Sequence, residues 1–165
     1  LRLAEEKNVR IAIENCPMLF DGDQWPGGQN LMTTPILWRK IFELLPSENL
    51  GLNFDPSHFV WQMMDYVKPL YEFKDKIFHI HFKDIKLSRA KLAEYGTMAY
   101  PLRSMSPKLP GLGDVDFGSF VSALTSIGFD GFACIEIEDK AYEGSCERIL
   151  DSLTLSKRYM DQFVI

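Results

Sequence analysis

The chain has 165 residues, 46% of them apolar and 25% charged, with a formal net charge of −5, the make-up of one globular domain able to bury a core. No basic patch marks a nucleic-acid binder, no apolar run is long enough to span a membrane, and no signal-peptide pattern opens the sequence. The three cysteines, Cys16, Cys134 and Cys146, form an odd set without zinc-finger spacing and are expected to be reduced thiols of a cytoplasmic protein.

In chain order, LRLAEEKNVR has no starting Met and reads as the tail of a helix, so the chain is expected to be a piece of a longer one. VRIAIEN (9–15) reads as a first strand. TTPILWRKIFELL follows as a helix with Thr34 as N-cap, Pro35 in the first position and an apolar stripe of Leu37, Ile41, Leu44 and Leu45. NLGLNFD (49–55) is a second strand, and DYVKPLYEFKD a weaker helix that Pro69 interrupts. KIFHIHFKD (76–84) is a third strand, and residues 85–115 form a long irregular stretch. DFGSFVSALTSIG is a helix with Phe117, Phe120, Val121 and Leu124 on one side, ending at Gly128. GFACIEIED (131–139) is a fourth strand, before a last helix from about Ser145 that carries Ile149, Leu150, Leu153, Tyr159 and Phe163. Strands alternating with helices predict βα units and a parallel sheet.

Side chains alternate across a strand. Ile11 and Ile13 share a face, as do Leu50, Leu52 and Phe54, then Phe78, Ile80 and Phe82, then Ala133, Ile135 and Ile137. The opposite face carries Glu14, Asp55, His81 and Glu136, each near the C-terminal end of its strand. Parity does not rank Glu136 against Glu138, and His79 shares the face of His81. Burying three carboxylates together is costly unless a cation neutralises them. A set of carboxylates and one imidazole suits Mn²⁺, Mg²⁺ or Co²⁺ and admits Zn²⁺. Strand C-terminal ends hold the active sites of (β/α) barrels and the ligand sites of open parallel sheets alike, so parity leaves these architectures open.

Each residue alone has a plainer explanation: Asp55-Pro56-Ser57 as a turn, the histidines as buried hydrogen-bonded groups, and Lys83, Lys86, Arg89 and Lys91 as a solvated loop. Trp25, Trp38 and Trp61 read as packing residues, and PGLGD (110–114) as a turn, not a dinucleotide fingerprint. The joint pattern of four strands ending alike is the stronger signal.

The stretches IAIENCP, LGLNFDPSHFVWQMMD, FHIHFKD, PGLGDVDF and FDGFACIEIED cover most of the chain. On them the chain resembles the sugar phosphate isomerase/epimerase family with the xylose-isomerase-like TIM barrel, a group that includes inosose dehydratases, ketose 3-epimerases and endonuclease IV-type repair enzymes. The resemblance implies strands five to eight of a (β/α)₈ barrel, in one domain over 1–165. It implies metal ligands Glu14, Asp55, His81 and Glu136, with Glu14 and Glu136 as the acid/base pair. It also implies substrate contacts at His58 and Lys83. Leu87 stands where the ketose 3-epimerases carry an arginine, six residues after the metal histidine, which counts against that subgroup. The trinuclear zinc sites of the repair enzymes need more histidines than His58, His79 and His81. The expected activity is that of a metal-dependent isomerase or epimerase acting on a sugar or cyclitol. An inosose-type dehydratase and a non-catalytic metal-binding half barrel are the alternatives. A half barrel has two open edges, so pairing with another copy or with an N-terminal half is expected.

Overall fold

The computed structural model describes residues 1–17, 30–97 and 102–163; Trp25 lies outside them. Helix α1 (Arg2–Glu6) leads into strand β1 (Ile11–Glu14). Then come α2 (Pro35–Leu44), β2 (Leu50–Phe54), α3 (Ser57–Trp61), α4 (Lys68–Glu72) and β3 (Ile77–Phe82). An excursion of β4 (Asp84–Leu87), α5 (Arg89–Tyr95) and β5 (Met105–Lys108) precedes α6 (Phe117–Ser126), β6 (Phe132–Ile135) and α7 (Cys146–Met160).

The main sheet has the order β1-β2-β3-β6, every neighbouring pair parallel. A doubly wound sheet reverses its strand order at a switch point, whereas a barrel adds each strand beside the last. The chain does the second, which decides between the architectures that parity left open. The sheet's outer face packs under the helices, around Leu52, Phe54, Ile80 and Phe82 from the strands and Trp38, Phe59, Phe117 and Phe120 from the helices. Trp38 is the hub: its ring meets Phe54, Phe59 and Phe73 with centroids 5.7, 5.5 and 5.1 Å away, and its Nε1 donates to the Met32 carbonyl at 2.7 Å. The packing reading of Trp38 therefore holds.

Several local expectations change. In α2 the buried side is Trp38 with Ile41 and Phe42, while Leu44 and Leu45 are exposed, because Trp38 fixes the helix rotation. Pro69 sits in the first turn of α4, where a missing N–H costs nothing, so it starts that helix instead of interrupting it. Helix α7 is capped by Ser145, whose side chain accepts from the Arg148 N–H, but it buries Ser152, Ser156 and Met160. Ile149, Leu150 and Leu153 face outward. The described part of residues 85–115 is not irregular: β4 and β5 pair antiparallel, with α5 between them in the chain. The register of β2 on β3 shifts between Leu52 and Asn53, which sets Asn53 level with His79. Bulges of this kind re-aim side chains beside functional sites. Here Ile77 joins the core in place of Phe78, whose ring lies over Gly51, where a Cβ would come within 2.5 Å of it.

Asp84 ties the excursion to the sheet. Its buried carboxylate accepts four backbone N–H bonds, from Ile85 and Val115 on Oδ1 and from Gly111 and Gly113 on Oδ2, all between 2.8 and 3.0 Å. The PGLGD turn wraps this carboxylate, and a Cβ at Gly113 would lie 2.1 Å from Oδ1, so only glycine allows the approach.

Candidate metal centre

The C-terminal ends of β1, β2, β3 and β6 converge on one point. One ligand atom each from Glu14, Asp55, His81 and Glu136 lies within 4.8 Å of the others. Donors about 2.0–2.4 Å from a shared cation lie at most about twice that distance apart, so the spread is that of one coordination sphere. Glu14 Oε1, Asp55 Oδ2, His81 Nδ1 and Glu136 Oε2 are buried without a hydrogen-bonding partner. His81 Nδ1 lies 2.5 Å from Glu136 Oε2 and 3.3 Å from Glu14 Oε1, in range but without hydrogen-bond alignment. Orphaned buried polar atoms are rare and costly in proteins. A cluster of them aimed at one centre fits a divalent cation, and the oxygen-rich donor set fits a hard one.

Local structure aims each group. Asp55 is fully buried, and its backbone is held from both sides by the Asn15 carboxamide, at 2.8 and 2.7 Å. Asp55 Oδ1 accepts from the Ser57 N–H at 2.8 Å, an Asx turn that opens α3 and leaves Oδ2 to the site. One turn on, His58 returns to the same point, with Nε2 3.4 Å from Glu14 Oε1 and 3.3 Å from Asp55 Oδ2. Trp61 Nε1 donates to His58 Nδ1 at 3.3 Å.

Lys83 separates the two glutamates that parity could not rank. Its buried Nζ lies 2.9 Å from Glu136 Oε1 and 2.7 Å from Glu138 Oε2. Glu136 keeps Oε2 for the centre, while Glu138 is half-exposed at the outer edge. Lys86 pairs with Asp114 on the surface. A second group, His79, His81 and Cys134, also has ligand spacing. There the Asn53 carboxamide already takes His79 Nδ1 at 2.9 Å and His81 Nε2 at 2.8 Å.

The electrostatics follow from this crowding. Burial pushes Glu14 up, but the His58 and His81 rings beside it outweigh this and hold the carboxyl far below its usual range. Burial dominates at Asp55 and raises it to about 6. Burial would depress His58, but the neighbouring Cys16 and Glu14 side chains and the Asp55 charge lift it to about 10. His81 likewise rises to about 10, burial being outweighed by the Glu136 and Glu14 carboxylates beside it. Burial works against charged Lys83 too, yet Asp55, Glu138 and Glu136 raise it well above an ordinary lysine.

Asn15, Asn53 and the donor role of Trp61 escaped the sequence reading. Asn53 shares the interior parity of Asp55, which was the available signal.

Parallel βα units added in order, with ligand-type side chains meeting at the strand C-termini, define one half of a parallel α/β barrel with a strand-end site. A family model described as xylose isomerase-like TIM barrel matches residues 1–158, and the chain belongs to that family. Among curated proteins it is 24% identical over 139 residues to the inosose dehydratase of Clostridium tetani, covering 83% of this chain and 43% of that protein. It is 27% identical over 137 residues to the inosose dehydratase of Lacticaseibacillus casei, covering 81% and 44%. The chain thus spans less than half the length of these relatives. Among solved structures, IOLI protein with a bound zinc atom superposes with a TM-score of 0.69 at 22% identity, over 99% of this chain and 54% of that one. The probable 3-DHS dehydratase AsbF of Bacillus anthracis superposes with a TM-score of 0.67 at 20% identity, over 97% and 52%. These superpositions establish the fold. Among the described residues no helix is long and apolar enough to cross a membrane, and the three cysteines are free thiols.

Proposed function

We propose that this chain supplies the metal-binding half of an enzyme that moves a proton next to the carbonyl of a sugar or cyclitol. The observation that carries this reading is the convergence of four orphaned ligand atoms from four strands. Glu14, Asp55, His81 and Glu136 would hold the cation, Mn²⁺, Mg²⁺ or Co²⁺ by donor chemistry, with Zn²⁺ supported by the zinc in the IOLI structure. Held there, a divalent cation would supply Lewis-acid polarisation of a substrate carbonyl. Glu14 takes the proton from the neighbouring carbon, and the C–H electron pair moves toward the carbonyl oxygen. Glu136 is the second acid/base, on the other side of the centre. His58 faces the same point and holds a substrate oxygen. Lys83, the other proposed substrate contact, sits between Glu136 and Glu138, and from there it also orients Glu136.

Return of the proton to carbon gives an isomerase or epimerase; loss of a neighbouring hydroxyl as water gives a dehydratase. The curated relatives named as inosose dehydratases favour the second outcome, and both start from the same proton abstraction. NMR of candidate ketoses and inososes in deuterated water, with the full-length protein and Mn²⁺, separates them. Deuterium at carbon without dehydration marks the first, a dehydrated product the second. Absence of both from every substrate would contradict an enzymatic role, as would a Glu14→Gln variant with unchanged exchange.

Charge balance yields a pH prediction. Three carboxylates face Lys83 and two histidines, and a divalent cation carries the same charge as two imidazolium protons. His58 and His81, raised to about 10, are both protonated at pH 8. A ring that gives its lone pair to a cation must first lose that proton, so affinity rises with pH until about 10. Calorimetry in buffers of different ionisation heat is expected to show release of about one to two protons per cation at pH 8. Zero release would contradict the site.

The outer strands β1 and β6 leave open edges, and Phe132 is 79% exposed. We propose that further strands, from a second copy or from the rest of a longer chain, cover them. A stable monomer of this chain alone in size-exclusion chromatography would contradict that.

A further inference from the structure

Two histidines aim a ring nitrogen at the centre, but their neighbours differ in what they offer. An indole N–H only donates. With a cation in place of the imidazolium protons, the Trp61 Nε1–H at 3.3 Å takes the lone pair on His58 Nδ1, which puts the remaining His58 proton on Nε2. That nitrogen faces Glu14 and Asp55. Held this way, and with the Cys16 thiol beside the ring, His58 presents an N–H to the site and no lone pair. His81 is turned the other way: Nδ1 faces Glu14 and Glu136, and Nε2 lies against the Asn53 carboxamide. A carboxamide carries both a donor and an acceptor of nearly equal shape. In the structure Nδ2 faces His81 and Oδ1 faces His79 Nδ1. A half-turn within the same volume brings the oxygen to His81. Asn53 then accepts a hydrogen bond from the His81 Nε2–H and donates one to His79, leaving the His81 lone pair on Nδ1.

We propose that Asn53 and Trp61 sort the two histidines: Asn53, backed by His79, presents His81 as a ligand through Nδ1, and Trp61 presents His58 as a hydrogen-bond donor to a substrate oxygen. Asn53 and Trp61 are positioning residues, and the inference rests on the metal reading above. Ring-orienting partners of a ligating histidine typically carry 10–100-fold in affinity.

The test uses the full chain, ¹⁵N-labelled and loaded with Zn²⁺, a closed-shell ion suited to NMR. Two-bond ¹H–¹⁵N spectra of the imidazoles read each tautomer, and competition with a chelating dye reads affinity. The expected result is His81 bound through Nδ1 with its proton on Nε2, and neutral His58 with its proton on Nε2. Asn53→Leu weakens zinc binding about 10–100-fold. Asn53→Asp, which still accepts from His81 Nε2, restores most of it. Trp61→Phe leaves zinc affinity little changed and lets His58 populate both tautomers. Coordination of His81 through Nε2, a proton on His58 Nδ1, or wild-type affinity in a folded Asn53→Leu variant would overturn the sorting while leaving the metal centre standing. A wild-type chain that binds no zinc would overturn the metal centre and the sorting with it. If Asn53→Leu does not fold, the wild-type spectrum decides alone.

Discussion

Asp55→Asn is expected to lower divalent-cation affinity by more than about 100-fold, beyond the 10–100-fold typical of outer-shell partners. At the same time it should leave the cation-free fold as stable as before, or more so. The two effects have one cause. Asp55 is fully buried, and its Oδ2 has no hydrogen-bond partner. Desolvation raises its pKa to about 6, above the ordinary aspartate value. A carboxyl with a raised folded-state pKa contributes most stability below its unfolded pKa, and that contribution is lost as pH rises through about 6. At pH 8 the ionised group therefore costs the cation-free protein on the order of a few kcal/mol. Asparagine keeps the Oδ1 bond to the Ser57 N–H and removes that cost. Mn²⁺ should raise the melting temperature of the wild type at pH 8 and not that of the variant. Equal Mn²⁺ affinity in the two proteins would contradict the assignment of Asp55.

Asp84→Ala is expected to cost about 3–4 kcal/mol of folding stability, because it strips several buried backbone N–H groups of their acceptor at about 1–3 kcal/mol each, with partial relaxation. All four donors belong to the β4 start and the 111–115 turn. The damage should therefore centre on the seat of the β4–β5 excursion, leaving Trp38 and its aromatic neighbours packed. Urea unfolding measures the total, and hydrogen exchange at Gly111, Gly113 and Val115 locates it. A loss under about 1 kcal/mol, with those amides still protected, would show that the carboxylate does not hold the loop.

Alternation along short apolar runs was enough to place Glu14, Asp55, His81 and the Glu136/Glu138 pair on one face near the strand ends, and of these Glu14, Asp55, His81 and Glu136 do meet. The βα rhythm indicated parallel strands, and the barrel order came from the topology. What parity could not show depends on contacts between distant segments. A one-residue register shift exchanged Phe78 for Ile77 in the core, since strand pairing overrides alternation within one strand. The α2 stripe held at Ile41 and failed at Leu44 and Leu45 for a similar reason: Trp38 buries more surface than Leu44 and turns the helix toward itself. Lys83 reaches both Glu136 and Glu138, and they part only in space, where Glu136 Oε2 meets His81 Nδ1 and Glu138 does not join the centre. Asn53 and Trp61 were visible in the sequence, but their importance lies in which hydrogen each gives or takes, and that needs the partner's position.

Anomalous scattering from crystals grown with Mn²⁺ or Zn²⁺ addresses the shared cation directly. The expected result is one peak at the strand C-termini, about 2.0–2.4 Å from Glu14, Asp55, Glu136 and His81 Nδ1. A peak elsewhere, or none there at saturating metal, would contradict it.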